Sequence, residues 1–347
     1  MQHKEATVVE MARIQFQPSG REITSRDGET VLAAALRKGL VLPYSCRSGS
    51  CGVCHARLIA GKIVPGGAAS VEVLGASAWA RDAILLCQAA ARSSELVIEA
   101  KEVEALAGTE FCTLPARVLR LEPLSHDVTA LTLGLMKGRG TLRFLAGQYV
   151  DLLLWDNRRR SYSIASPPHN TESVELHVRR VPGGRFSEHE LSTIREQDLL
   201  HLTGPLGTFF LRDDPRPVIF VAGGPGFAPI AAMVEDLRMN KIRKSVKFYW
   251  GVRSRRDLYR LEQVGRWERE LGLGFIPVLS KPDLDWEGRR GWVHEAILAD
   301  YPDLSGVQVY TSGPPEMISA IRTSFPQHGL SEDMLYYDSF EPAVDTA

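Results

Sequence analysis

Apolar and polar positions change rhythm twice along the chain, and each rhythm predicts a different kind of domain. In the first stretch, residues 13–16 (Arg-Ile-Gln-Phe) alternate as an edge strand does, and Asp27-Gly28 marks a turn. Thr30 is placed to N-cap a short helix over 31–38, with Val31, Leu32, Ala35 and Leu36 on one apolar face and Gly39 at its end. A closing strand is predicted over 96–99. The second stretch carries short strand-like runs at 116–121, 128–133, 149–155, 174–179 and 199–202, separated by proline and glycine turns, which predicts an antiparallel barrel. In the third stretch the runs become continuously apolar, at 218–221, 246–250, 275–279 and 307–311. Helical stretches intervene, one from Ala228 with Ile230, Met233, Val234 and Leu237 on one face, another over 317–323. Buried strands alternating with helices predict a parallel doubly wound sheet. The boundaries expected are 10–103, a linker at 104–112 within the polar run that starts at Lys101, then 113–214 and 215–347.

Composition narrows the class. A chain of 347 residues, 44% hydrophobic and 24% charged, fits an ordinary globular protein of two or three domains. A formal net charge of −1 argues against nucleic acid as a partner and against a polybasic membrane patch. No apolar run approaches the length of a membrane span, and the polar first eight residues lack the apolar centre of a signal peptide. A cytoplasmic protein is expected.

The candidate chemistry starts with cysteine. Cys46, Cys51 and Cys54 form C-x4-C-x2-C, and Cys87 stands alone further on. That is the spacing of a plant-type [2Fe–2S] site. A zinc ribbon would need a second C-x2-C pair, a Rieske centre two histidines, and a disulfide framework more than five cysteines and an export signal. Gly49 and Gly52 let the loop fold tightly so that its N–H groups point at sulfurs, while Leu40, Val41, Leu42 and Tyr44 shield one side. His55 and Arg47 read as solvated side chains rather than ligands, and Cys112 as a small structural thiol.

Two further elements point to nucleotides. Arg160-Ser161-Tyr162-Ser163 offers a guanidinium fork for a diphosphate, an aromatic face for an isoalloxazine and a small hydrogen-bonding neighbour for its N5. About twenty residues on, Gly183-Gly184-Arg185-Phe186-Ser187 can present N–H and hydroxyl donors to phosphate, and the 144–149 segment makes a third element. Gly223-Gly224-Pro225-Gly226 lies between a predicted strand and helix, at the positive end of the helix dipole where a pyrophosphate binds. The 9 histidines are scattered and suggest no triad.

Together these motifs resemble the ferredoxin–NADP reductase superfamily, in the order β-grasp [2Fe–2S] ferredoxin (α+β), antiparallel barrel for FAD, and α/β nucleotide domain. The reductases that feed oxygenases, and CDP-6-deoxy-glucoseen reductase, are similar in arrangement. The resemblance implies that Arg160, Ser161, Tyr162, Ser163, Gly183, Gly184 and Ser187 hold FAD, and that Gly223, Gly224, Gly226, Gly313 and Pro314 hold the nicotinamide dinucleotide. It favours FAD over FMN, because the FMN-type relatives usually carry the ferredoxin domain at the other end. Ser163, Ser312 and Phe340 are the candidates beside the reacting rings. Two positions depart from the family pattern. Pro225 replaces the threonine of G-G-T-G and removes an N–H, and Ser312 replaces the cysteine of C-G-P-P. Unlike plant ferredoxins, the first domain is not strongly acidic. The implied activity passes electrons from NAD(P)H to FAD, to the cluster and to a separate terminal oxygenase component, of the Rieske type that hydroxylates or demethylates aromatic compounds. A reductase serving a deoxysugar dehydratase is the alternative, and a non-enzymatic cluster-bearing module a third. Arg253, Arg255 and Arg256 stand where the adenosine ribose is read, with Asp257 after them, and the expectation is NADH with NADPH tolerated, in a monomer.

Overall fold

The computed structural model describes residues 11–64, 73, 82–109, 111–136, 141–154, 156 and 158–341. The chain divides into two compact units, 1–110 and 111–347. The first contains a five-stranded mixed sheet packed with a helix. Its strands are β1 (Met11–Gln17), β2 (Glu22–Arg26), β3 (His55–Ala60), β4 (Ala83–Leu85) and β5 (Glu95–Glu99), in the order β2-β1-β5-β3-β4. Helix α1 (Val31–Arg37) starts where the Thr30 hydroxyl accepts the Ala33 N–H at 3.2 Å, and it buries Val31, Leu32, Ala34 and Ala35. Residues Glu104–Leu106 form a 3-10 turn with Leu106 buried, and the Val103 N–H donates to the Val41 carbonyl. The segment expected to be a linker therefore begins folded against the first unit, because it carries one leucine that the sheet can cover.

The second unit holds two sheets. The antiparallel one has the order β10-β7-β6-β11-β8-β9. Its strands are β6 (Cys112–Pro123), β7 (Val128–Leu135), β8 (Tyr149–Leu153), β9 (Arg159–Ser163), β10 (Ser173–Arg179) and β11 (Leu199–Leu206). A bridge between Ile164 and Leu176 joins the two edges and closes it as a barrel. Val118, Leu131, Val150, Leu152, Ile164 and Leu176 fill the interior. Trp155, expected at the end of β8, lies outside the described residues.

The parallel sheet has the order β15-β14-β13-β12-β16-β17. It contains β12 (Val218–Gly223), β13 (Val246–Val252), β14 (Gly274–Leu279), β15 (Arg289–Arg290), β16 (Gln308–Gly313) and β17 (Leu335–Ser339), with helices α2 (Phe227–Met239), α3 (Leu261–Leu271), α4 (Val293–Asp300) and α5 (Pro315–Ser324) between them. Strand β12 shows why it is doubly wound. Val218, Phe220 and Ala222 pack on one face with Phe227 and Trp267, while Ile219 and Val221 pack on the other with Ile297 and Ile321. A strand covered on both faces reads as a continuous apolar run, as 218–221 does.

Strand β12 pairs with β13 on one side and β16 on the other, so the topology switches between β12 and β16. Their C-terminal turns touch backbone to backbone. A Cβ on Gly226 would lie 1.9 Å from the Ser312 carbonyl oxygen, and one on Gly313, whose φ is +147°, would lie 2.9 Å from the Gly223 backbone. No side chain fits either position. Gly226→Ala is expected to force the two strand ends apart and destabilise the second unit by about 1–3 kcal/mol in urea unfolding. Gly306→Ala, at a glycine with nothing within 4 Å of its Cβ position, should stay within about 0.5 kcal/mol. Equal effects of the two variants would contradict the close approach.

Candidate functional site

In the first unit the loop after α1 carries Cys46, Cys51 and Cys54, and Cys87, just after β4, meets Cys54. Arg47, Gly49 and Gly52 have φ of +59°, +88° and +79°, so the chain coils tightly there. The Cys51 N–H donates to Cys46 Sγ at 3.4 Å, and the Ser50 hydroxyl approaches the same sulfur at 3.7 Å. Cys54 and Cys87 lie with their sulfurs 3.2 Å apart. Hydrogen bonds from Cys51 first, and from Ser48, hold the Cys46 thiol down at about 4 against the effect of burial. Cys87 is also held below the usual thiol range, by Cys54 first and in part by the Gln88 side chain. Leu40, Val41, Leu42 and Tyr44 are buried beneath the loop. Cys51 and Cys54 are pushed up in turn, by Cys46 and Cys87 first and then by burial, so each close pair favours one thiolate. Four sulfurs so paired and backed by apolar side chains suit a thiolate-bound [2Fe–2S] cluster. His55 is exposed and its ring nitrogen Nδ1 lies 3.0 Å from the Gly52 carbonyl, so it is no ligand candidate.

The flavin candidates come together on the barrel. Tyr162 packs its ring against Phe186 at 5.7 Å, which brings the 160–163 strand to the 183–187 turn. Burial pushes the Tyr162 phenol up, so it stays neutral. Ser161 Oγ donates to buried Asp151 at 2.7 Å, and half-buried Arg160 donates through Nη1 to the Arg159 carbonyl at 3.0 Å. In the 183–187 turn the Gly183 N–H, at φ +74°, donates to the Glu188 carboxylate at 2.6 Å, and the Val181 N–H donates to Ser187 Oγ at 3.1 Å. A carboxylate already sits on the Gly183 donor, so the turn accepts anionic oxygen of the kind a diphosphate offers.

Ser163, at the end of the same strand, reaches the seam with the parallel sheet. Its hydroxyl donates to Asp338 Oδ2 at 2.8 Å, and both residues are buried. Asp338 lies in β17, two residues before Phe340, whose N–H donates to the Gly313 carbonyl at 2.9 Å. Ser163, Ser312, Gly313 and half-buried Phe340 are thus linked around the switch point. Ser312 is fully buried, and its hydroxyl has no hydrogen-bond partner among the described residues. Such an orphan is costly unless a ligand satisfies it, which suits the carboxamide of a nicotinamide. Gly224 has φ +50°, and its carbonyl accepts the Trp250 indole N–H at 3.0 Å, so the turn is anchored from beneath.

The seam carries more than the motifs revealed. His177 of β10 stacks on Phe227 at 6.0 Å, and its Nδ1 lies 3.2 Å from the Tyr259 hydroxyl. Arg260 joins Glu122 and Glu175 of the barrel at 3.1 and 3.4 Å. Burial pushes the Glu175 carboxyl up, but His177 and Arg260 overcome it and leave the group below its ordinary range. Arg179, held by Asp127 at 2.8 Å, places Nη1 3.6 Å from the Cβ position of Gly224. Asp338 and Arg179 were not singled out from the sequence. Asp338 bonds across 175 positions, and nothing local marks it.

The ribose-reading stretch is arranged differently from the rest. Arg253, Arg255 and Arg256 are exposed at the end of β13, and Arg255 pairs loosely with Asp285 at 4.0 Å. The Asp257 carboxylate turns back to accept the Ser254 N–H at 2.7 Å and the Ser254 hydroxyl at 3.0 Å. Among the described residues, the one ion pair these arginines make is that of Arg255 with Asp285, away from the contacts of Ser163 and Phe340. No helix among the described residues is long and apolar enough to cross a membrane.

Comparison with known proteins finds three matched domains. Residues 14–92 match the 2Fe-2S iron-sulfur cluster binding domain, 115–211 the oxidoreductase FAD-binding domain, and 220–323 the oxidoreductase NAD-binding domain. The chain is 37% identical over 331 residues to the CDP-6-deoxy-L-threo-D-glycero-4-hexulose-3-dehydrase reductase of Yersinia pestis, covering 95% of this chain and 98% of that one. It is 34% identical over 317 residues to a reductase component of terephthalate 1,2-dioxygenase from Comamonas sp, covering 90% and 92%. The crystal structure of an Amycolatopsis cytochrome P450 reductase superposes with a TM-score of 0.78 at 31% identity, over 95% of this chain and 99% of that one. The chain carries the domains for [2Fe–2S], FAD and NAD and is an oxidoreductase. It belongs to the ferredoxin–NADP reductase superfamily, in the branch whose reductases carry an N-terminal plant-type [2Fe–2S] domain.

Proposed function

We propose that this protein takes electron pairs from NAD(P)H and delivers single electrons through its cluster to a separate terminal oxygenase component acting on aromatic compounds. The observation that carries the reading is the Ser163–Asp338 hydrogen bond of 2.8 Å, which ties the flavin strand to the strand that ends at Phe340 and Gly313. When bound, the nicotinamide supplies a pair of electrons, the flavin accepts the pair and releases it singly, and the cluster carries one at a time. The chain's own part is binding and orientation. Arg160 would pair with the FAD diphosphate, and the 183–187 turn would donate to it in place of the Glu188 carboxylate that the Gly183 N–H now holds. Ser163, held by Asp338, and Phe340, held by the Gly313 carbonyl, would border the flavin ring, and Ser312 and Gly313 would receive the nicotinamide. Ser312 offers that carboxamide its unsatisfied hydroxyl. The four cysteine thiolates hold the cluster.

Reductases of terephthalate dioxygenase, phenol monooxygenase and an aromatic O-demethylase among the relatives support an oxygenase as acceptor. The 37% identity to the dehydrase reductase supports a second reading, in which the acceptor is a deoxysugar dehydratase. Turnover with purified acceptors of both kinds separates them. NADH is the proposed donor, with NADPH tolerated. The working unit is proposed to be a monomer.

Three outcomes are expected. Cys51→Ser should lose the cluster spectrum and cytochrome c reduction yet keep NADH–ferricyanide activity; full cytochrome c reduction by that variant would show that electrons bypass the cluster. Arg160→Ala should release FAD on gel filtration, with a cost of about 2–5 kcal/mol for removing one partner of a charge pair. Normal flavin occupancy would remove Arg160 from the site. Comparison of kcat/KM for the two cofactors should favour NADH. A preference for NADPH of about tenfold or more (about 1.4 kcal/mol) that Arg255→Ala or Arg256→Ala abolishes would instead make those arginines a phosphate clamp.

A further inference from the structure

The residue after the fourth cysteine reaches back across the cluster loop. Gln88 is exposed at its surface, yet its amide nitrogen has two acceptors: the Arg47 carbonyl at 3.3 Å and Cys87 Sγ at 3.7 Å. A primary amide nitrogen carries two N–H donors, and both are used. Both partners are acceptors, so the nitrogen rather than the amide oxygen faces them. The path is cleared by Gly49. A Cβ there would lie 2.9 Å from Gln88 Cγ, and at φ +88° an L side chain is disfavoured in any case. The Arg47 carbonyl belongs to the residue after the first cysteine, and Arg47 itself has φ +59°. Gln88 therefore joins the two ends of the ligand set.

We infer that Gln88 is a positioning and tuning residue for the cluster, whose amide stabilises the reduced form by donating a hydrogen bond to the Cys87 sulfur while its second N–H pins the Arg47 carbonyl. The physical ground is charge. One electron entering the cluster adds one negative charge to the irons and their sulfurs, and no bond is made or broken. A donor on a ligand sulfur lowers the energy of the more negative state and raises the potential. Ligating iron leaves Cys87 with lone pairs to accept that bond. The inference rests on the cluster assignment.

The test is a redox titration of the full reconstituted protein, read by visible absorption and electron paramagnetic resonance, with iron and sulfide assayed beside it. Gln88→Leu removes both donors, and Gln88→Glu keeps the shape while placing a carboxylate near the sulfur. Both midpoint potentials should fall, Gln88→Glu further. At the ambient potential where half the wild-type cluster is reduced, the reduced-to-oxidised ratio in Gln88→Leu should drop by roughly 3- to 10-fold, the worth of one hydrogen bond. The potential reports only intact clusters, so partial iron loss does not blur it. A wild-type potential in Gln88→Leu would overturn the inference, including where the variant loses its cluster faster, since faster loss alone marks a purely structural role. Wild-type protein without a [2Fe–2S] spectrum would instead overturn the cluster assignment.

Discussion

The second unit depends on one close approach, the backbone contact between the Gly223–Gly226 turn and the Ser312-Gly313 turn at the switch point of the parallel sheet. Only glycine permits it at 226 and 313, where a Cβ would sit 1.9 and 2.9 Å from neighbouring backbone. The contact seats the N-terminus of α2 beside the end of β16, and Pro314 leads straight into α5. From there the Gly313 carbonyl receives Phe340, and the same terminal strand gives Asp338 to Ser163. Strand β9 is therefore tied, through Asp338, to a turn about 150 residues away in sequence.

A second set of contacts keeps that arrangement stiff. Phe227 opens α2, and its ring stacks on Trp250 at 4.4 Å and packs edge-on against Tyr259 at 5.2 Å. Each such pair contributes about 0.5–1.5 kcal/mol beyond its buried area. His177 extends the stack into the barrel, and Arg260 adds two carboxylate contacts. The salt bridges are partly exposed and contribute less than the aromatic packing. The seam is held mainly by burial, with the charges setting its register.

Legibility in the sequence followed the range of the interactions. Local signals were readable: the Thr30 cap, the apolar run of β12, and the cysteine spacing with its glycines. The polar strand β2 (Glu22–Arg26) and β17 (Leu335–Ser339) were not, because their pairing partners rather than their own patterns make them strands. The site divides the same way. Arg160, Tyr162 and the glycine turns announce themselves by type and spacing. Asp338 and Arg179 acquire meaning only through partners 175 and 52 positions away, and Gln88 through the adjacent Cys87 sulfur together with Arg47, 41 positions away. The departures at Pro225 and Ser312 were visible, but only the structure shows that Ser312 is fully buried with its hydroxyl unsatisfied.

The central claim is the order of electron flow, from nicotinamide through flavin to cluster. Anaerobic mixing of the reconstituted protein with NADH, followed by stopped-flow absorption and freeze-quench electron paramagnetic resonance, tests it directly. Flavin absorbance is expected to be lost first, the reduced-cluster signal to grow in afterwards, and flavin-free protein to give no cluster signal. Reduction of the cluster by NADH at an undiminished rate in flavin-free protein would contradict it.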